Sequence, residues 1–582
     1  MPYISGMQRY ALLLLLLLPL SLRAQKLPTR FELSDSTQSP PYAEAMAWWR
    51  ALDKASPLIS MRAAGPTDSG EPLQLVLYSP SGESDLQKLK KEGKSILFIN
   101  NAIHPGEPDG VDASMLLLRE LAFSKRFQQE VGDVVIALIP FYNIGGALNR
   151  NSTTRANQNG PEAYGFRGNA RNLDLNRDFI KLDSRNAHSF TELFLQLKPQ
   201  LYVETHVSNG ADYPYTMTLL STQHNKLGGP LAEYLRQQLE PRLYQQMAQK
   251  GWPMTPYVNV WGSTPDKGWV AFNDPPRYSS GFAALHHTIG LVTETHMLKP
   301  YNMRVAATYQ FLLAAAKAVA QEGKKLQQLQ LEQQQHTARQ QALPLQWVSD
   351  TSQHTPFRFR GYEGRQETSA VSGQPRLRYD RSKPFEKEIK LYDTYRPTGQ
   401  VQVPRYYVLP QGWWPVVERL KANGVLMRPL QRDSSMQAEV YRIADYKTVA
   451  RPYEGHYLHH SVVVEGEKRE VKLRRGDLLI PTDQPARRFL VEVLEPAAPD
   501  SYFSWNFFDA ILQQKEGFSG YVFEDVAAEL LKKNPALKKA LEEKRAAEPD
   551  FAKDGAAQLE FIYKRSPYYE EAHLRYPVYR VF

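Results

Sequence analysis

The chain of 582 residues contains no cysteine. That removes disulfides, thiolate nucleophiles, cysteine-ligated metals and cysteine-borne lipid anchors together. No block of lysine and arginine marks a nucleic-acid arm. The net charge of +9 is spread along the chain and implies only a mild preference for acidic surfaces, such as anionic lipid or cell-wall polymers. Beyond the N-terminus no apolar run is long enough to span a bilayer, and no internal repeat is visible. What remains is a globular composition, 42% hydrophobic and 23% charged. The length exceeds one ordinary domain and allows a sizeable core.

The N-terminus reads as a processing segment. Gln8-Arg9 precede Ala11–Leu22, a leucine run broken by Pro19, and Ala24 offers a small residue for cleavage before Gln25. A basic start, an apolar stretch and a cut site predict a signal peptide over 1–24, with Met7 as an alternative start. The mature chain is then expected to be exported, without a stable membrane anchor. A bacterial periplasm fits a protein without disulfides best, an extracellular location second.

Residues 25–70 are polar and irregular apart from an amphipathic stretch at Tyr42–Leu52. From about residue 71, strand-length apolar runs alternate with helical patterns. Ser95–Ile103, Asp133–Phe141, Gln200–His206, Tyr215–Leu220 and Ile289–Thr295 read as strands. Val111–Ala122, Asp183–Lys198, Leu227–Lys250 and Tyr301–Glu322 read as helices. In Asp183–Lys198 the residues Phe190, Leu193, Phe194 and Leu197 recur at i, i+3, i+4 and i+7. This alternation predicts an α/β domain over 71–323, with a mixed, largely parallel sheet flanked by helices. The glutamine-rich stretch 324–346 predicts a solvated helical linker. Residues 347–582 predict a β-rich α+β region, with helices returning after Ser504 and no chemical signature.

Four polar motifs fall at or just beyond the ends of predicted strands or in the long loop after Tyr142, where open α/β sheets gather their ligands. They are His104-Pro105-Gly106-Glu107, Asn176-Arg177, Thr205-His206 and Thr293-Glu294-Thr295. Two histidines and a carboxylate suit one zinc ion with an open position for water. An Asn-Arg pair suits a substrate carboxylate, since a guanidinium binds one in bidentate fashion. A glutamate in an apolar strand is either half of a buried ion pair or a general base.

The motifs and their order resemble the zinc carboxypeptidase family, the metallopeptidases built like carboxypeptidase A, over roughly residues 70 to 320. The resemblance implies one Zn2+ per chain on His104, Glu107 and His206, and a substrate carboxylate held by Asn176 and Arg177. It makes Glu294 the base that takes a proton from the attacking water. It also asks for an oxyanion arginine and a tyrosine near the scissile bond. Arg155 is the choice for the first, with Arg167 and Arg150 as rivals, and Tyr278 for the second. His296 reads as structural. The pairs His286-His287 and His459-His460 lack a third ligand at useful spacing.

The expected activity is removal of C-terminal residues from peptides, or from peptide-like substrates with a free carboxylate. Within the same family, an amidohydrolase acting on γ-glutamyl cell-wall linkages or on small acylated amino acids is the alternative. A binding protein that kept the fold and lost catalysis is the reading from another class. The intact set of His104, Glu107, His206 and Glu294 speaks against it.

Overall fold

The computed structural model describes residues 27–582, so the predicted signal segment 1–24 lies outside the described residues. Nine strands precede residue 300: β1 (Ile59–Ala63), β2 (Gln74–Tyr78), β3 (Ser95–Asn100), β4 (Val134–Ile139), β5 (Leu201–Ser208), β6 (Met217–Ser221), β7 (Met254–Pro256), β8 (Trp269–Val270) and β9 (Ile289–His296). All but β8 form one sheet in the order β1-β2-β4-β3-β5-β9-β6-β7. Its four central strands, β4, β3, β5 and β9, are parallel. Antiparallel pairs flank them on both sides. This is the mixed α/β sheet expected from the alternating pattern.

Every residue of β3, β4 and β5 is buried. Strands covered on both faces need apolar residues at successive positions, and β3 and β4 are accordingly near-continuous Ile, Val, Leu and Phe, whereas β5 carries Glu204, Thr205 and His206 in its second half. On one face Leu97, Ile99, Ile136 and Val203 pack against helices Tyr42–Ala55, Asp109–Phe123 and Tyr301–Arg339. On the other, Phe98, Val135, Ile139 and Tyr202 pack against helix Arg185–Leu197 and, beyond it, against Tyr407, Phe489 and Trp505 of the C-terminal region.

After helix Tyr301–Arg339 come four strands, β10 (Ala342–Ser349), β11 (Thr355–Thr368), β12 (Pro375–Tyr392) and β13 (Tyr395–Gln402). β11 and β12 form a long hairpin, and β12 also pairs with β8. A six-stranded sheet follows, built from β14 (Tyr406–Leu409), β15 (Arg428–Pro429), β16 (Ser434–Thr448), β17 (His459–Leu473), β18 (Leu478–Pro481) and β19 (Tyr579–Val581). Its order is β15-β18-β14-β19-β16-β17. Helices return over Gly520–Tyr563 and pack among themselves around Phe523, Leu541 and Phe551. The β-rich α+β expectation holds.

Three local expectations change. The extension expected over 25–70 is not irregular in its described residues, 27–70: Met46, Trp49 and Leu52 enter the main core, and β1 is an edge strand of the central sheet. Nor is 324–346 a solvated linker. Helix Tyr301–Arg339 runs on without a break, burying Leu326, Gln333 and Thr337. The Gln333 amide accepts from Leu231 N and donates to Leu227 O, so a polar side chain does buried work that composition alone does not reveal. Finally, the 227–250 helix widens to a π-turn at Leu235–Leu239, just ahead of Pro241. Proline cannot donate to the carbonyl one turn back, and a wider turn accommodates the missing bond.

Candidate active site

β3 ends at Asn100, and the chain turns through Ala102, whose φ is +53°. The next turn is closed by Glu107 N donating to His104 O at 2.8 Å, after which helix Asp109–Phe123 begins. Two glycines allow the close approaches here. A Cβ on Gly106 would lie 2.5 Å from Arg155 Cδ, and one on Gly110 would lie 2.1 Å from Thr205 Oγ1. The loop therefore presses against both the neighbouring arginine and β5. β5 and β9 are in parallel register with His206 beside Glu294, so the strand pairing itself juxtaposes the second histidine and the glutamate.

The ligand atoms of His104, Glu107 and His206 all lie within 4.8 Å of one another, and all three side chains are buried. Among the described residues no other cluster of three or more His, Asp or Glu could hold a metal. His104 Nδ1 is 3.2 Å from Glu107 Oε1, and His206 Nδ1 is 2.9 Å from Glu107 Oε2. Both Nδ1 atoms thus face the same carboxylate. Both Nε2 atoms face other carboxylates: His104 meets Asp174 at 2.9 Å, and His206 lies 3.1 Å from Glu204, off the hydrogen-bonding line. Carboxylates behind metal-binding imidazoles fix the tautomer and raise ligand basicity.

The charged groups at this point hold one another ionised. Burial opposes ionisation of Glu107, but Arg155 and the two histidines outweigh it and hold the carboxyl well below the usual range. Burial likewise opposes charge on His206, yet Glu204 and Glu107 raise its imidazole well above the ordinary value. Two imidazoles and one carboxylate, each backed by a polar partner, fit a zinc ion.

These residues line a cavity of about 370 Å³ together with Arg167, Asn176, Arg177, Tyr278 and Glu294. Glu294 is the one position of β9 that is not fully buried. Among the described residues it makes no ion pair with an arginine, so the ion-pair alternative has no partner. Burial pushes its carboxyl up to about 8, and Glu107 adds to the rise. Asn176 and Arg177 sit on a single 3₁₀ turn whose start is capped by Asp174. Asn176 Oδ1 is buried without a partner. The Arg177 guanidinium lies 4.2 Å over the Tyr278 ring.

The arginines sort differently from the sequence expectation. Arg155 is committed to Glu107 Oε1 at 2.8 Å and to Gln158 at 2.6 Å, and it does not line the cavity. Arg167 does line it, with Nη1 3.4 Å from His104 Nδ1 and Nε 2.9 Å from Asp174. Arg150 is turned away onto Ser39 O. His296 bonds Asp212 at 3.1 Å and stacks on Tyr213. His286 packs between Phe282 and Phe489, and His459 bonds Asp509 and Thr448.

Two residues at the cavity carry no sequence signal. Asp274 is buried in the wall, with Oδ2 accepting from Ser280 and Oδ1 unpartnered. Burial pushes its carboxyl up to about 7. Trp261, 56% exposed, stands at the mouth. Both come from 257–280, a stretch mostly outside regular structure, where no periodicity marks a buried polar side chain.

Residues 45–224 match the family model described as zinc carboxypeptidase. Carboxypeptidase 2 of Trichophyton rubrum is 21% identical over 496 residues, covering 81% of this chain and 85% of the relative. Carboxypeptidase 2 of Trichophyton equinum is 24% identical over 176 residues, 30% of each chain. Among solved structures, a metallo-carboxypeptidase from Burkholderia cenocepacia is similar with a TM-score of 0.37 and 15% identity, over 50% of this chain and 70% of the other. One from Pseudomonas aeruginosa, in complex with (2-guanidinoethylmercapto)succinic acid, gives 0.36 and 15%, over 48% and 68%. The segment 45–224, which matches the zinc carboxypeptidase model, holds His104, Glu107, Asn176, Arg177 and His206.

Proposed function

We propose that the chain is an exported metallocarboxypeptidase that removes the C-terminal residue of peptides with a free carboxylate. One observation carries this reading: the His104-Glu107-His206 cluster, the Asn176-Arg177 pair and Glu294 face one cavity of about 370 Å³. One zinc ion per chain, held by His104, Glu107 and His206, supplies Lewis acidity toward a carbonyl and lowers the pKa of water to about 7.

The remaining roles belong to the protein. Arg177 and Asn176 receive the terminal carboxylate and set the last peptide bond against the cluster. Glu294 takes a proton from the attacking water and returns it to the leaving amine. His206 beside it draws its raised pKa back toward the carboxylate form, since an opposite charge favours ionisation. Arg167, whose side chain is 44% exposed at the cavity, is better placed than Arg155 to stabilise the oxyanion. Arg155 instead orients Glu107. Tyr278 supports Arg177 through its ring and presents its hydroxyl near the bond to be cut. The unpartnered oxygen of Asp274 favours a substrate side chain that donates a hydrogen bond or carries positive charge over a purely aliphatic one.

The test is hydrolysis of blocked dipeptides ending in Phe, Arg and Asp, each as free acid and as amide, with and without chelator. Release of the terminal residue from acids only, abolished by the chelator, is expected. Equal cleavage of acids and amides, or cleavage confined to γ-glutamyl cell-wall peptides, would overturn the reading.

A further inference from the structure

The C-terminal region reaches into the site at one point. Between β16 and β17 the chain makes a tight turn at Tyr453–His456. Tyr453 N donates to His456 O at 2.7 Å, His456 N returns the bond at 3.1 Å, and the two central residues, Glu454 and Gly455, have φ of +50° and +84°. Two successive positive φ values define the type I′ turn that suits a hairpin, and glycine at the second position makes it inexpensive.

The turn docks on the 3₁₀ segment that carries the Asn-Arg pair. Tyr453 Oη accepts from Arg177 Nε at 3.0 Å. Glu454 Oε2 accepts from Asp174 N at 2.7 Å. His456 Nε2 meets Asp183 Oδ2 at 2.7 Å, and Arg419 Nε donates to Lys181 O at 2.6 Å. The far side of the turn is pinned by Trp505 of its own region and by Arg277 of the domain before it. The Tyr453 ring stacks on Trp505 at 6.1 Å and 23°, and the Arg277 guanidinium lies against both rings while pairing with Asp500 at 2.8 Å.

Arg177 is thereby held on three sides. Tyr278 covers one face, Asn176 O accepts from Nη1 at 2.7 Å, and Tyr453 occupies Nε. Nη2 has no hydrogen-bond partner among the described residues. A guanidinium can grip a carboxylate side-on, through Nε and one Nη, or end-on, through both Nη atoms. With Nε taken, only the end-on approach remains.

We propose that Tyr453, contributed by the C-terminal region, is a positioning residue for carboxylate recognition: its hydroxyl fixes Arg177 for end-on capture of the substrate's terminal carboxylate. This rests on the reading of Arg177 as the carboxylate site. The region after residue 403 thus completes the binding pocket of the domain before it.

The experiment measures binding rather than turnover, in full-length protein carrying Glu294→Gln so that no substrate is consumed. Calorimetry with benzoyl-glycyl dipeptides ending in Phe, Arg and Asp, as acids and as amides, compares this background with the same protein bearing Tyr453→Phe. Tyr457→Phe, a change on the exposed neighbour of the same turn, is the control. Expected for Tyr453→Phe is a rise of about tenfold in Kd for the acids, no change for the amides, and a Tm within a few degrees of the parent. The control should match the parent. In the Glu294-intact enzyme, KM should rise with kcat nearly kept.

Unchanged acid binding in Tyr453→Phe, with acids still preferred over amides, would overturn the role of Tyr453 and leave the carboxylate site standing. Acids and amides binding alike in the parent, or no acid binding at all, would overturn both. An equal loss for acids and amides would reduce Tyr453 to a structural prop and also refute the proposal.

Discussion

At the scale of single residues, the proposed function divides recognition and chemistry between neighbours on different elements. Glu294→Gln keeps the shape of the side chain and removes its basicity. Expected is a fall in kcat of roughly 10²–10⁴-fold, the range for loss of a general base, with zinc still bound and KM little changed. Arg177→Ala removes a contact made in ground and transition states alike, so its main effect is on KM. Steady-state kinetics on the best dipeptide acid checks both. That His104, Glu107 and His206 cluster, and that Asn176 and Arg177 line the same cavity, is legible in sequence because these residues stand in short polar motifs at strand ends or in the long loop. That Arg167 lines the cavity and Arg155 does not is not legible there. Three arginines lie within residues 150–167, and only the fold shows that Gly106 lets Arg155 close on Glu107 from behind. Asp274 and Tyr453 act alone, at positions no spacing rule marks.

At the scale of elements, a buried arginine ties the metal loop to the catalytic strand. Arg304, in the first turn of helix Tyr301–Arg339, is fully buried. It pairs with Asp109 at 3.0 Å and donates to the carbonyls of Asn159, Gly160, Met297 and Lys299. Asp109 opens the helix after Glu107 and also accepts from Thr295, next to Glu294. Arg304→Met leaves Asp109 unpaired in the core and should cost about 3–5 kcal/mol, measured by denaturant unfolding.

A second element contact depends on pH. His286, just after helix Ser279–Leu285, is wedged against Phe489 of helix Arg487–Leu494, and burial pushes its imidazole down to about 3. Its folded pKa lies below its unfolded value of about 6.5. Between about 3 and 6.5 the unfolded chain binds more protons, so this group makes stability fall as pH drops below about 6.5. His286→Phe should therefore raise Tm relative to the parent at pH 4.5 by more than at pH 7.5. Equal differences at the two pH values would count against it. The helix and strand pattern around these contacts is readable from periodicity. The helix-to-helix docking that buries a lone histidine is a long-range event that periodicity does not carry.

At the scale of the whole molecule, the chain is stitched across its length. One core joins strands β3 and β4 to Tyr407, Phe489 and Trp505 of the C-terminal region, and the turn at 453–456 holds Arg177 through Tyr453. A chain ended at residue 403 exposes that core face and frees Arg177, so it should be insoluble or should bind dipeptide acids far more weakly than the full chain. Sequence composition suggests an accessory part because nothing after residue 346 carries chemistry. The contribution proposed for it is geometric, a hydroxyl and a carboxylate placed by a turn. No helix among the described residues is long and apolar enough to cross a membrane.

The central claim is that one zinc ion on His104, Glu107 and His206 powers hydrolysis in this cavity. The most direct measurement is to strip the protein with chelator, add zinc back in steps and follow hydrolysis of the best dipeptide acid, with bound metal determined by elemental analysis. Activity should rise from near zero and level off at about one zinc per chain, and a His206→Ala protein should neither hold the metal nor regain activity. Full turnover by the stripped protein, or a His206→Ala protein that binds zinc and works as well as the parent, would contradict it.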